Sequence, residues 1–205
     1  MKKIAAILFA LLLAVSLLLT ILYVECVLPG LMESRFETFA WAPGAYGQLA
    51  RDITGYLNGK DIVLSYFQPH EQAHMADVRG LVALLMQVLI ALWLCVAALG
   101  IFLRNKAVSK TIAVTLSSVL VFVLGVIAYA FIDFDGLFIL FHKLVFTNDL
   151  WLLNPATDYL IQLMPIGFFM AYALSIGLIW LLLMILCILF VRRSHGIFSR
   201  FKKAN

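Results

Sequence analysis

Apolar and polar residues along this chain segregate into long blocks. Four apolar runs, at about residues 4–24, 81–103, 111–132 and 168–191, each have roughly the 20 residues that a helix needs to cross a hydrocarbon core. The spacing predicts an all-α membrane protein with four transmembrane helices. Between the runs lie two mixed segments, about 25–80 and 133–167, and together they predict a short extracytoplasmic cap over the helix ends.

The first mixed segment is broken by Pro29-Gly30, Pro43-Gly44 and Asn58-Gly59, which mark turns between short amphipathic pieces. It is too short and too poor in core-forming runs to fold alone. Its last part, Pro69-His70-Glu71-Gln72-Ala73-His74-Met75-Ala76-Asp77-Val78-Arg79, opens with a proline tolerated at a helix start and runs unbroken into the second apolar run. At helical spacing Glu71, His74 and Asp77 or Val78 share one face. The second mixed segment alternates polar residues with Phe141, Val145, Phe146, Trp151, Leu152 and Leu153, the pattern of chain lying at the membrane interface. No internal repeat or linker is visible, so residues 1–205 read as one integral membrane domain.

Composition agrees: 64% of residues are hydrophobic, 13% are charged, and the mean hydropathy is +1.05. Charge then sets the orientation. Lys2, Lys3, Arg104, Lys106, Lys110, Arg192, Arg193, Arg200, Lys202 and Lys203 fall on one side of the four runs, with no acid among them. All 11 carboxylates, from Glu25 to Asp158, fall on the other. The positive-inside bias therefore puts both termini in the cytoplasm and both mixed segments outside. The basic pI reflects topology and meets lipid headgroups, so it does not point to nucleic acid. The first run is longer than a signal-peptide core and reads as a retained helix. Glu25 is large and charged where a lipidated Cys26 would need a small neighbour. Cys26, Cys95 and Cys187 form no disulfide or redox pattern.

Candidate chemistry is confined to the outer segments. His74 and His142 both fall just outside a helix end, and imidazole titrates near neutrality, so the two together suit acid–base work. Asp77, Asp149 and Asp158 are candidate orienters. The literal H-E-x-x-H of His70-Glu71-Gln72-Ala73-His74 offers two imidazoles one turn apart for zinc, with Glu71 as base. It follows a proline directly, however, and its third ligand has to come from His142, Asp149 or Asp158. Asn154-Pro155-Ala156-Thr157-Asp158 has the composition of a turn, with the acid free to cap the next helix.

Two stretches carry a family resemblance. They are Glu71-x-x-His74-Met75-x-Asp77-Val78-Arg79, and Phe141-His142-Lys143-x-x-Phe146-x-Asn148-Asp149-x-Trp151-x-x-Asn154-Pro155-x-x-Asp158-x-Leu160-Ile161-x-x-x-Pro165-x-x-Phe168-Phe169. They resemble the four-span family that contains the lipoprotein intramolecular transacylase of Gram-positive bacteria. His70 departs from the pattern, which has a basic residue there, and so does Ile166, where an acid is often found.

The resemblance implies an enzyme of the bacterial cell membrane that needs no metal or organic cofactor. It implies transfer of the sn-2 acyl chain of a lipoprotein's diacylglyceryl-cysteine to that cysteine's own α-amine, giving a lyso-form lipoprotein. The partners are then the diacylated lipoprotein N-terminus and membrane lipid. The catalytic pair is then His74 and His142, with Asp77 and Asp149 expected to orient the two rings, Asn148 or Asn154 to donate to the oxyanion, and Glu71, Trp151 and Asp158 to complete the substrate-binding or orienting set. The rival readings are a non-enzymatic scaffold or lipoprotein chaperone, and a zinc peptidase built on the H-E-x-x-H.

Overall fold

A computed structural model of the chain describes residues 1–104 and 107–204, with side chains through Arg193. Lys106, Arg200, Lys202 and Lys203, which the charge reading used, have side chains outside the described residues. Among the described residues the elements are all helical: α1 (Lys2–Val27), α2 (Pro29–Phe39), α3 (Tyr46–Leu57), α4 (Pro69–Leu103), α5 (Ser109–Ala130), α6 (Phe134–Val145), α7 (Tyr159–Leu163) and α8 (Ile166–Ala204).

Four of them are long and apolar enough to cross a membrane: α1, α4, α5 and the Ile166–Arg193 part of α8. These are the four expected spans. The 35 residues of α4 rise about 52 Å, well beyond a hydrocarbon core of about 30 Å. Its first turns, residues 69–80, therefore lie outside the apolar run 81–103, and they carry His70, Glu71, His74 and Asp77.

The chain forms two compact units. One comprises Met1–Ile21, Val88–Ala128 and Gly177–Asn205. Ala6, Ala10 and Ala14 make a buried stripe at four-residue spacing, the small-residue pattern that lets helices approach closely in lipid. The buried indole of Trp180 donates to the Ala14 carbonyl at 2.8 Å, and Trp93 donates to the Thr20 hydroxyl at 3.0 Å.

The other unit comprises Leu22–Gln87 and Tyr129–Ile176. Its core gathers Met32 and Phe36 of α2, Leu49, Ile53 and Leu57 of α3, Met75 and Val82 of α4, Leu160 and Leu163 of α7, and Phe168 and Tyr172 of α8. Pro29 occupies the first turn of α2, where its missing N–H costs nothing. Asn58-Gly59 ends α3: Gly59 takes φ +89°, and Lys60 N–H donates to Gly55 and Gly59 N–H to Tyr56. This is the paired bonding of a Schellman cap. The two mixed segments are tied where Trp41 N–H donates to the Gln162 carbonyl at 2.8 Å and the Tyr159 hydroxyl donates to the Pro43 carbonyl at 3.1 Å.

Candidate active site

The site starts with how α4 begins. Glu71, completely buried, turns one carboxylate oxygen back to accept from the Gln68 N–H at 2.6 Å, the return arm of a capping box. Its other oxygen accepts from the Leu160 N–H at 2.6 Å, at the start of α7. Both oxygens are thus occupied by backbone amides, and Glu71 caps two helices at once. It anchors the two mixed segments to each other, and neither oxygen is left to act as a base.

One turn further along α4, His74 is 7% exposed, as is His142 near the end of α6. Their ring centroids are 6.2 Å apart at an interplanar angle of 33°. The two histidines, 68 residues apart in the chain, therefore meet within one unit.

His142 Nδ1 lies 2.7 Å from the Phe138 carbonyl, one turn back on α6. A carbonyl only accepts, so Nδ1 carries the hydrogen and the lone pair of the neutral ring sits on Nε2. Around this imidazole stand Phe138 at 4.1 Å, Trp151 at 5.0 Å, Phe141 at 5.3 Å and Phe146 at 5.5 Å between ring centroids. Phe146 also meets His74, at 5.1 Å. His74 Nδ1 is sealed from solvent and has no hydrogen-bond partner among the described residues.

Burial is the main cause of both histidines' low basicity. It pushes His74 down to about 4, helped by the neighbouring His142 and opposed by Asp77. It holds His142 below the ordinary value as well, against the pull of its Phe138 hydrogen bond. Both rings are neutral at pH 7.

The other expected residues divide into three groups. Asp77 accepts from the Asn148 amide at 2.9 Å, and Asn148 in turn accepts from the Leu150 N–H at 3.2 Å. Asp77 therefore holds the 146–151 stretch against α4, with Asn148 shaping its turn. Asn154 and Asp158 are spent on the next turn. Asn154 Oδ1 accepts from the Ala156 N–H at 3.0 Å, and Asp158 accepts from the Asn154 N–H and the Thr157 hydroxyl, each at 2.8 Å. The Asn154 amide is the chief cause of an Asp158 carboxyl held below its usual range. Asp158 stands at the N-cap of α7 without capping it, because its side chain turns back to Asn154 and Glu71 supplies the cap from α4.

His70 also reaches Asp158, Nε2 to Oδ2 at 3.1 Å. The H-E-x-x-H therefore has one histidine on Asp158, its glutamate on two amides and its second histidine among aromatic rings. Among the described residues no three His, Cys, Asp or Glu side chains converge as a metal would need.

Asp149 and Trp151 open onto a cavity of about 510 Å³, lined also by Ile139, Lys143, Phe146, Thr147, Asn148 and Leu152. Phe146 and Trp151 are shared walls, with the cavity on one side and His142 in ring contact.

Two features went unread in the sequence. Phe138 fixes the tautomer of His142, and its only signal is its place four residues before His142 on an apolar helix. The other is a buried polar cluster. Arg35 of α2 donates to Glu25 of α1 at 2.6 Å and to the Ser175 hydroxyl of α8 at 2.7 Å, and its guanidinium lies 4.0 Å from the Tyr172 ring centroid. Glu25 reads along the chain as an ordinary boundary acid because its partner is on another helix.

A family model described as Lipoprotein intramolecular transacylase Lit matches residues 2–169. The chain belongs to the lipoprotein intramolecular transacylase family. The matched region contains both histidines and every other expected site residue. Membership makes the protein a multi-pass membrane acyltransferase acting on lipoproteins.

The family's fold is present too. The chain is similar to the membrane integral lipoprotein intramolecular transacylase Lit of Bacillus cereus, with TM-score 0.71 and 24% identity over 95% of this chain and 97% of that one. It is also similar to a histidine-to-alanine variant of the Bacillus protein, with TM-score 0.66 and 23% identity over 97% of this chain and 95% of that one. No curated protein matches the chain.

Proposed function

We propose that this family member moves the sn-2 acyl chain of a lipoprotein's diacylglyceryl-cysteine onto the α-amine of the same cysteine, at the extracytoplasmic face, with His142 and His74 as its acid–base pair. The approach of the two neutral imidazoles, with Nε2 of His142 left as a lone-pair base by the Phe138 carbonyl, carries this reading.

The chemistry needs such a pair. An α-amine with pKa near 8 is mostly protonated at pH 7 and has to lose a proton before it attacks an ester. That proton leaves to water, and His142 Nε2 accepts a second one from the nitrogen as the attack proceeds. The amine nitrogen bonds to the ester carbon, and the carbonyl electrons move onto oxygen. Collapse of this intermediate breaks the carbon–oxygen bond to the glycerol, whose alkoxide takes a proton from the imidazole pair. A positioned proton donor or acceptor is worth about 10² to 10⁴ in rate.

The cavity wall suits the polar end of the substrate. The exposed carboxylate of Asp149 complements the incoming ammonium, and the ammonium of Lys143 complements the oxyanion. The apolar spans accommodate acyl chains in the lipid phase.

The test is mass spectrometry of lipoprotein N-termini from membranes carrying the wild type, His74→Ala or His142→Ala. Each variant is expected to accumulate the diacylated form while still folding and inserting. Conversion to the lyso form by both variants overturns the dyad.

A further inference from the structure

His142 becomes an imidazolium each time it takes a proton, and a buried cation needs compensation. In hydrolases built on a histidine base, a carboxylate on the second ring nitrogen usually provides it. Here Nδ1 faces the neutral carbonyl of Phe138. Among the described residues the ion pairs are Arg35–Glu25 and His70–Asp158, and neither reaches His142.

The charged and titratable groups around this ring are accounted for element by element. On α4, His74 is buried and neutral, and Asp77 is engaged by Asn148. On α6, Lys143 lines the cavity, as does Asp149 from the following stretch. From α8, Phe169 supplies only a ring, against Phe138.

Aromatic faces do surround the imidazole. Phe146 stacks on it at 28° with centroids 5.5 Å apart, and Trp151 lies at 33° and 5.0 Å. Both distances are inside the range of about 6 Å over which a ring quadrupole attracts a cation, and indole is the strongest of the natural side chains in this respect. Phe146 and Trp151 lie closer to parallel with the imidazole than Phe138 at 45° or Phe141 at 88°, so of the four rings they are the best placed to offer a face to positive charge.

We propose that the faces of Trp151 and Phe146 stabilise the imidazolium formed on His142 during acyl transfer, taking the place of a carboxylate partner. Trp151 is then a positioning residue that acts electronically through His142. The proposal rests on His142 acting as the base. It accounts for a catalytic histidine buried among rings with no acid beside it: the rings attract the charged form at the moment of proton transfer while leaving the resting ring neutral.

Fluorination tests this directly, because each fluorine on the indole drains the ring face of negative charge with little change of shape. Mono-, di- and trifluorotryptophan are introduced at residue 151 by site-specific incorporation into the full chain, leaving Trp41, Trp93 and Trp180 untouched. Initial rates are read on a diacylated lipopeptide in proteoliposomes.

The logarithm of the rate is expected to fall stepwise with the number of fluorines, by about 5- to 30-fold in total, and the acid limb of the pH–rate profile is expected to move to lower pH. The sign follows from the cause: weakening the charged form makes His142 a poorer base. Trp151→Phe should fall between the wild type and Trp151→Leu. A flat fluorine series, with His142→Ala inactive, overturns the aromatic stabilisation and leaves the acid–base reading intact. An active His142→Ala overturns both.

Discussion

Glu71 shows what one side chain can hold in place. Removing it as Glu71→Ala orphans the buried Leu160 amide, costing about 1–3 kcal/mol, and removes the partly buried bond to Gln68 N–H at the start of α4. Thermal unfolding in detergent is expected to shift down accordingly, and activity should fall with it. His70→Ala breaks only a half-exposed contact to Asp158 and is expected to cost less than about 1 kcal/mol, with turnover retained. Retained turnover would also dispose of a zinc peptidase that needs His70, and metal analysis of the purified protein would confirm it. His74 gives a pH dependence. Its value is pushed from 6.5 to about 4, so below about 6.5 the unfolded chain takes a proton that the folded chain resists. Stability is therefore full above that pH and declines toward pH 4, by an amount on the order of 2 kcal/mol. His74→Phe is expected to flatten the decline in melts between pH 4 and 7. The histidine pair was legible in the chain, because two imidazoles beside helix ends are chemically unusual. The role of Glu71 was not, since one of its two amides lies 89 residues away.

Elements were legible to the extent that they repeat a simple rule. The four spans follow from run length alone, and the outward extension of α4 follows from the absence of a breaker between Pro69 and Leu103. The five residues of α7 were beyond such reasoning, being too short for a periodic signal and capped from another helix. The joining of α1, α2 and α8 through Glu25, Arg35 and Ser175 was equally hidden. Arg35→Met is expected to cost about 3–5 kcal/mol by leaving Glu25 buried and unpaired, and the double variant Glu25→Leu with Arg35→Met should recover most of that loss. A double-mutant cycle from thermal melts reads the coupling. Equal losses in the single and double variants would mean that the pair contributes shape and no electrostatic match.

For the whole molecule, charge distribution carries more than any single motif. Every carboxylate lies between Glu25 and Asp158 or shares their side, while basic residues crowd the ends and the Arg104–Lys110 connection. A reporter active only in the cytoplasm is expected to work when fused after Asn205 and to fail when inserted at Asn58-Gly59, where the chain turns. The reverse result would invert the membrane orientation and move the proposed chemistry to the other leaflet. Fold class and both histidines could be read from this pattern together with the family resemblance. The aromatic setting of His142 could not, since it depends on which rings residues 146–152, legible only as interfacial chain, fold back onto α6.

The double grip of Glu71 also has a consequence in time. The ribosome makes Glu71 long before Leu160, and at about 5–20 residues per second the 89 intervening residues take several seconds to appear. During that interval two further apolar helix segments, the end of α4 and all of α5, have yet to be synthesised and threaded into lipid. The carboxylate meanwhile has only its Gln68 partner. Assembly of the proposed site thus waits for Leu160, and a chain stalled before that residue lacks the amide that ties α4 to α7.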